Sequence, residues 1–229
     1  MKKFLALISI FFVGLSANAD FVTNSSSVNM DNIWNTLGKR EQKIIDVGAR
    51  ILNRNKIQSR VVFYLNTSPI KSINAYTAYR NKGIYVYPEL LNYIENDDEL
   101  AAVLAHEIAH DIDYYEGWCK SVAMKFNSKY YEYKADEIGI DYMVKAGYNP
   151  IAMITIMNKI SGEDAYDWKI LRSHPKTSKR LMKDYEIIYK KYPQYLSSPM
   201  TKNIHYVNWT YTATKDIQKF KEEQAKQKI

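Results

Sequence analysis

An α+β fold, mostly helical with a small three-strand sheet, is the class this sequence predicts, on three observations. Several long stretches repeat apolar residues at helical spacing. Three short β-branched and aromatic runs cluster between residues 60 and 87. An apolar helix with a strong start signal follows at Asn96.

The 229 residues favour one domain, and 46% hydrophobic with 25% charged residues is an ordinary globular composition. A single cysteine, Cys119, excludes an intrachain disulfide and any Cys-rich metal module. A mean hydropathy of −0.42 excludes a polytopic membrane protein.

Residues 1–19 read as a signal peptide. Met1-Lys2-Lys3 is a positive start, Phe4 to Leu15 is apolar, and Ala17-Asn18-Ala19 is a small-x-small cleavage site. The apolar run is short for a spanning helix, which needs roughly 20 residues. Cleavage would remove Lys2 and Lys3 and bring the net charge from +7 to +5. The chain is therefore expected to be exported, and periplasmic if its source is Gram-negative.

Residues 20–30 are polar and aperiodic and read as a flexible N-terminus. The main domain is expected over residues 31–195. Its first helix runs from Asn32 to Asn55, with Ile44, Ile45, Val47, Ile51 and Leu52 near helical spacing and Gly38 and Gly48 as weak points. Arg60–Leu65 is a strand. Ala75–Tyr79 and Gly83–Tyr87 flank Arg80-Asn81-Lys82 and suggest a hairpin. Pro88 suits the first turn of a short helix through Tyr93.

Asn96 can cap the next helix and Glu99 can complete a capping box, with Asp97 and Asp98 favourable at the positive end of the dipole. That helix extends to Tyr115. Further helices are expected over Asn127–Ala146, Pro150–Ile160 and Thr177–Tyr192, with a loop over Ser161–Asp167 and a break at Ser173-His174-Pro175. Residues 196–229 form a C-terminal extension, expected to be helical, whose end from Lys215 is charge-mixed.

The chemistry centres on His106-Glu107-Ile108-Ala109-His110, an H-E-x-x-H motif on the capped helix. Residues i and i+4 share one helical face, so both imidazoles can meet one metal ion. Glu107 sits beside them, within reach of a metal-associated water but poorly placed as a ligand. The alternative is two histidines on an ordinary helix. The apolar surroundings, Ala101-Ala-Val-Leu-Ala105 and Ile108-Ala109, make that costly without a metal.

A catalytic zinc site needs a third protein ligand. Only His174 and His205 remain among the histidines, so a carboxylate is favoured, from Glu132, Asp136, Glu137 or Asp141. Glu132 and Asp136 share a helical face. One can bind the metal while the other orients a ligand imidazole, and spacing alone does not choose between them.

These motifs, with Ser128-Lys-Tyr-Tyr-Glu132-Tyr-Lys-Ala-Asp136, resemble the zinc metalloendopeptidase family of HtpX and the type I CAAX prenyl proteases. Asn74-Ala75, Asp98-Glu99-Leu100, Ala146-Gly-Tyr-Asn-Pro150 and Ser173-His-Pro-Lys-Thr-Ser-Lys-Arg180 extend the resemblance over about residues 40–190. It implies a zincin-like metalloprotease domain over 31–195 and one zinc ion per chain. It makes Glu132 the third ligand beside His106 and His110, and Asp136 an outer partner. His174 would belong to a loop over the active site, near the metal or the reacting oxyanion. Lys129 stands where the family has an arginine and loses that side chain's planar fork. The family's membrane helices are absent, which resembles its soluble, exported branch, the branch that assists outer-membrane β-barrel assembly.

The implied function is an exported zinc endopeptidase acting on unfolded or misassembled envelope proteins, with Glu107 as general base. An edge strand at Ala75, Tyr76, Thr77 and Ala78 would hold an extended substrate segment. The competing expectation is a latent, zinc-stabilised periplasmic chaperone or adaptor in which His174 closes the metal site. Export argues against nucleic acid as a partner, and an anionic membrane surface suits the positive charge better. Nothing in the sequence points to an oligomeric state, and His205 is given no role.

Overall fold

The computed structural model describes residues 30–78, 81–115, 128–162 and 177–228. The proposed signal peptide, Cys119 and His174 lie outside the described residues. The chain divides into two compact units, residues 1–39 and 40–229. The first contributes to the described residues only the opening turns of helix α1, which spans Met30–Arg54. The second holds everything that follows.

Its sheet has three strands, β1 (Val62–Leu65), β2 (Ala75–Ala78) and β3 (Gly83–Val86). The expected hairpin is present: β2 pairs antiparallel with β3 through Ala75↔Val86 and Tyr76↔Tyr85. Lys82, at φ 52°, takes the left-handed conformation that closes its turn. β1 begins two residues later than the sequence suggests and pairs in parallel with β3, so the order is β1-β3-β2. β3 is central, and β2 is an edge strand among the described residues.

The described residues contain eight α-helices. After α1 and the short α2 (Pro88–Leu91) comes the central α3 (Asp97–Tyr115). Most of its apolar residues are buried although they point in several directions: Leu100, Ala101, Ala102, Leu104, Ala105, Ile108 and Ala109, with Val103 and Ile112 half-buried. A helix apolar all round belongs inside a domain. The Asn96 side chain caps it, accepting from the Glu99 amide at 2.9 Å. Glu99 reaches back one residue further than a simple capping box, to the Glu95 amide at 2.8 Å.

Helix α4 (Ser128–Lys145) packs against α3. At their crossing a Cβ on Gly139 would lie 3.3 Å from the His106 amide nitrogen and 3.4 Å from the Ala105 carbonyl carbon. The missing side chain lets α4 approach the His106 turn of α3 directly. Gly147, at φ +78°, ends this segment in the left-handed geometry of a helix stop. Asn149 then caps α5 (Ile151–Gly162), accepting from the Ile151 amide at 3.0 Å, and its own amide donates to Asp98 at 2.9 Å. Those bonds explain the Gly-Tyr-Asn-Pro run physically.

Helix α6 (Thr177–Lys191) leads into 3₁₀ turns at Pro193–Ser197 and Pro199–Lys202, then α7 (Ile204–Thr212) and α8 (Thr214–Lys226). Tyr206 and Trp209 of α7 and Phe220 of α8 are buried around Tyr185 of α6, with ring centroids 5.6 Å (Trp209) and 6.4 Å (Phe220) from it. No helix of the described residues is long and apolar enough to cross a membrane.

Candidate metal centre and active site

α3 brings His106 and His110 to one face, as the i, i+4 spacing requires, and their Nε2 atoms stand 3.1 Å apart. Glu132 of α4 meets both rings. Its Oε1 lies 3.1 Å from His110 Nε2, and its Oε2 lies 3.6 Å from His106 Nε2. All three side chains are buried, and they form a group of donor atoms that could hold one metal ion.

The donor chemistry fits a divalent cation. Four ligands at about 2.0–2.1 Å in a tetrahedron are about 3.3 Å from each other, close to the spacings of these atoms. Two imidazoles and one carboxylate are a ligand set suited to zinc, with a coordination position left over.

Asp136 takes a different place from Glu132, one turn further along α4. Its Oδ1 is 2.8 Å from His106 Nδ1, on the far side of the ring. A carboxylate there keeps the proton on Nδ1 and turns Nε2 toward the centre. The geometry thus separates two acids that spacing left equivalent. Burial alone would lower the His106 pKa, but its bonds and charge interactions with Asp136 and Glu132 prevail and raise it to about 10 in the metal-free chain. His110 is held below its ordinary value by burial and by the neighbouring His106 charge.

Glu107 is buried beside the histidines, and β2 fastens it. The Thr77 hydroxyl lies 2.9 Å from Glu107 Oε2 and 3.1 Å from its backbone carbonyl, both acceptors within reach of one donor. The edge strand and the H-E-x-x-H helix therefore meet at the carboxylate that the sequence marks as the base. Ala75 and Thr77 face α3 across this contact, and the strand alternation turns Tyr76 and Ala78 to the opposite face.

With the two rings, Glu132, Asp136 and Glu107 in one place, the family is decided by the stretch of sequence that carries them. The pattern of peptidase family M48 matches residues 38–113 and 118–184, well over half the chain. The chain belongs to peptidase family M48. This is a family of metallopeptidases, and the chain shares its mostly helical α+β architecture. Among curated proteins it is similar to the beta-barrel assembly-enhancing protease of Yersinia pestis, 25% identical over 208 residues. That match takes in 72% of this chain but only 42% of the relative, so the chain spans less than half of that protein's length.

Arg180 is a site residue to which sequence reasoning gave no role, although it closes the Ser-His-Pro run. From α6 its Nε and Nη2 donate to the two oxygens of Asp136, each at 2.6 Å, and its Nη1 stands 2.9 Å from Glu132 Oε2. One guanidinium therefore braces both Glu132 and the acid behind His106. Burial would raise the Asp136 pKa, but the Arg180 charge and the His106 contact hold it below its usual value. Asp184, one turn after Arg180, is fully buried with no hydrogen-bond partner among the described residues, and burial beside Asp136 pushes its carboxyl well above its usual value. Asp111, next to His110, is also buried without a hydrogen-bond partner among the described residues, and burial raises its pKa to about 6, with Glu107 adding to the rise. A run of charges adjoining the motif was the available signal for Asp111. Asp184 gave none, because nothing local marks it as buried.

Proposed function

We propose that this chain is an exported zinc-dependent endopeptidase that cleaves unfolded or extended envelope proteins. The observation that carries this function is the join between the metal-ligand group and the edge strand, the Thr77–Glu107 contact. A group built only to hold a metal has no use for a carboxylate tied to an open strand edge. The name of the Yersinia relative supports an envelope setting.

His106, His110 and Glu132 would hold the ion, with His106 oriented by Asp136 and Glu132 braced by Arg180. When bound, zinc acidifies water and polarises the scissile carbonyl. Glu107 takes a proton from the attacking water and returns it to the departing amine. Thr77 restrains the carboxylate while this happens. β2 aligns the substrate backbone by strand addition, which reads main chain more than side chains and so favours unstructured segments.

Casein and an unfolded porin are suitable probes, each digested with and without a chelator. Glu107→Gln should abolish cleavage while elemental analysis still finds one zinc per chain. Undiminished cleavage by that variant would sink the mechanism, and cleavage unaffected by chelation would sink the metal.

A further inference from the structure

On the sheet face turned away from α3, three tyrosines stand in a row, one from each strand. Tyr64 pairs with Tyr85, and Tyr85 with Tyr76. Their rings stack with centroids 4.8 and 5.2 Å apart and planes inclined by 19° and 11°. Tyr87 leans on the end of the row, 6.0 Å from Tyr76. Gly83 makes the floor: a Cβ there would lie 2.8 Å from Tyr85 Cε2 and 3.1 Å from Tyr64 Cε2. The row stops at Tyr76 because, among the described residues, β2 pairs with no strand beyond β3.

The backbone register says how a further strand would continue it. The Tyr87 amide donates to the Asn74 carbonyl at 3.0 Å. In an antiparallel pair the residues facing the partner alternate, so Asn74, Tyr76 and Ala78 direct their backbone groups to β3. Ala75 and Thr77 direct theirs to the open edge. An antiparallel strand added there would bond Ala75 and Thr77. Its residue opposite Tyr76 would form a non-hydrogen-bonded pair, the arrangement that brings side chains closest, with Cα atoms about 4.5 Å apart.

We propose that Tyr76 selects an aromatic side chain in the substrate, at the one position that faces it across the edge of β2. The inference rests on the proposed role of β2 as the substrate strand. A substrate aromatic becomes the fourth ring of the row, gaining the offset stacking that the three resident rings already make. Polar or small residues at that position offer Tyr76 no ring to stack on.

The test measures binding to the zinc-loaded Glu107→Gln protein. A set of extended Thr/Ser decapeptides carries a single Phe at each position in turn. One Phe position should tighten binding on the order of threefold to tenfold over the all-Thr/Ser peptide. Tyr76→Phe should keep that preference and Tyr76→Thr should lose it. Equal affinities at every Phe position in the Tyr76 background overturn the proposal, whatever the variants do. So does a preference that survives Tyr76→Thr. Cleavage of the same peptides by the protein with Glu107 intact separates the two claims. Selective binding without cleavage refutes proteolysis and leaves the selectivity standing, whereas cleavage without selectivity does the reverse.

Discussion

Replacing Arg180 with Met removes the positive partner of two buried acids at once. Its three contacts, 2.6 and 2.6 Å to Asp136 and 2.9 Å to Glu132, all lie out of water. Charged hydrogen bonds contribute roughly 1.5–3 kcal/mol each, so a simple sum would exceed 4 kcal/mol. Methionine keeps part of the packing, and the stranded acids can take up protons, which limits the damage. Breaking a buried pair from one side costs about 3–5 kcal/mol, and that is the expected loss. Urea unfolding of the chelator-treated protein at pH 7.5 measures it directly. Lys183→Met on the same helix is the control, since its bond to Glu186 is 3.3 Å long and half-exposed and should count for less than about 0.5 kcal/mol. The pH dependence has a defined sign. Asp136 is held below 3.8, so its stabilisation is present above that value and fades as acid protonates it. The gap between Arg180→Met and the parent should therefore narrow toward pH 3. A loss under about 1 kcal/mol at pH 7.5, or a gap that widens in acid, would refute the assignment of Arg180 as the brace.

Three further outcomes are expected. Glu132→Ala should lose stoichiometric zinc, whereas Asp136→Asn should retain it with affinity weakened about 10–100-fold; elemental analysis and competition with a chelating dye distinguish them. Gly139→Val should cost about 1–3 kcal/mol and weaken metal binding, because two of the three atoms nearest its Cβ are backbone of the His106 turn and only the third, the Met153 methyl, can swing aside; denaturation and zinc titration read both effects, and an unchanged zinc affinity would count against the crossing as the positioning contact. Asp111→Asn should stabilise the metal-free chain by about 1–2 kcal/mol at pH 7.5 and little at pH 4, since a carboxyl raised from 3.8 to about 6 penalises folding only once it ionises; equal effects at both pH values would contradict the burial argument.

The sequence was most readable where the interactions are local. The Asn96 cap, the apolar α3 and the facing of His106 and His110 follow from residues three or four apart. So does the sharing of a face by Glu132 and Asp136. What separates those two acids, by contrast, is the crossing of α3 and α4, governed by the absence of a side chain at Gly139. The parallel pairing of β1 with β3 also depends on distant chain, because the hairpin pattern speaks only for β2 and β3. Arg180 acts on Asp136 from 44 residues away, and the positive charges around it, Lys179 and Lys183, look alike in the sequence. Helix α7 was hard to resolve within the extension because its buried side is just Tyr206 and Trp209, too short for a periodic signal.

The two-residue period of β2 keeps two kinds of change apart. Alterations at Thr77 act on Glu107 through its 2.9 Å hydroxyl contact, so under the proposed mechanism they should register in turnover. Alterations at Tyr76 or Ala78 fall on the opposite side of the same four residues and touch no part of the metal group. On the proposed role of β2 as the substrate strand, a lineage can therefore retune what it accepts by substituting alternate positions while the chemistry stays in register. Recombining this strand between relatives should exchange preferences without rebuilding the helix behind it, provided the hydroxyl at position 77 travels with it.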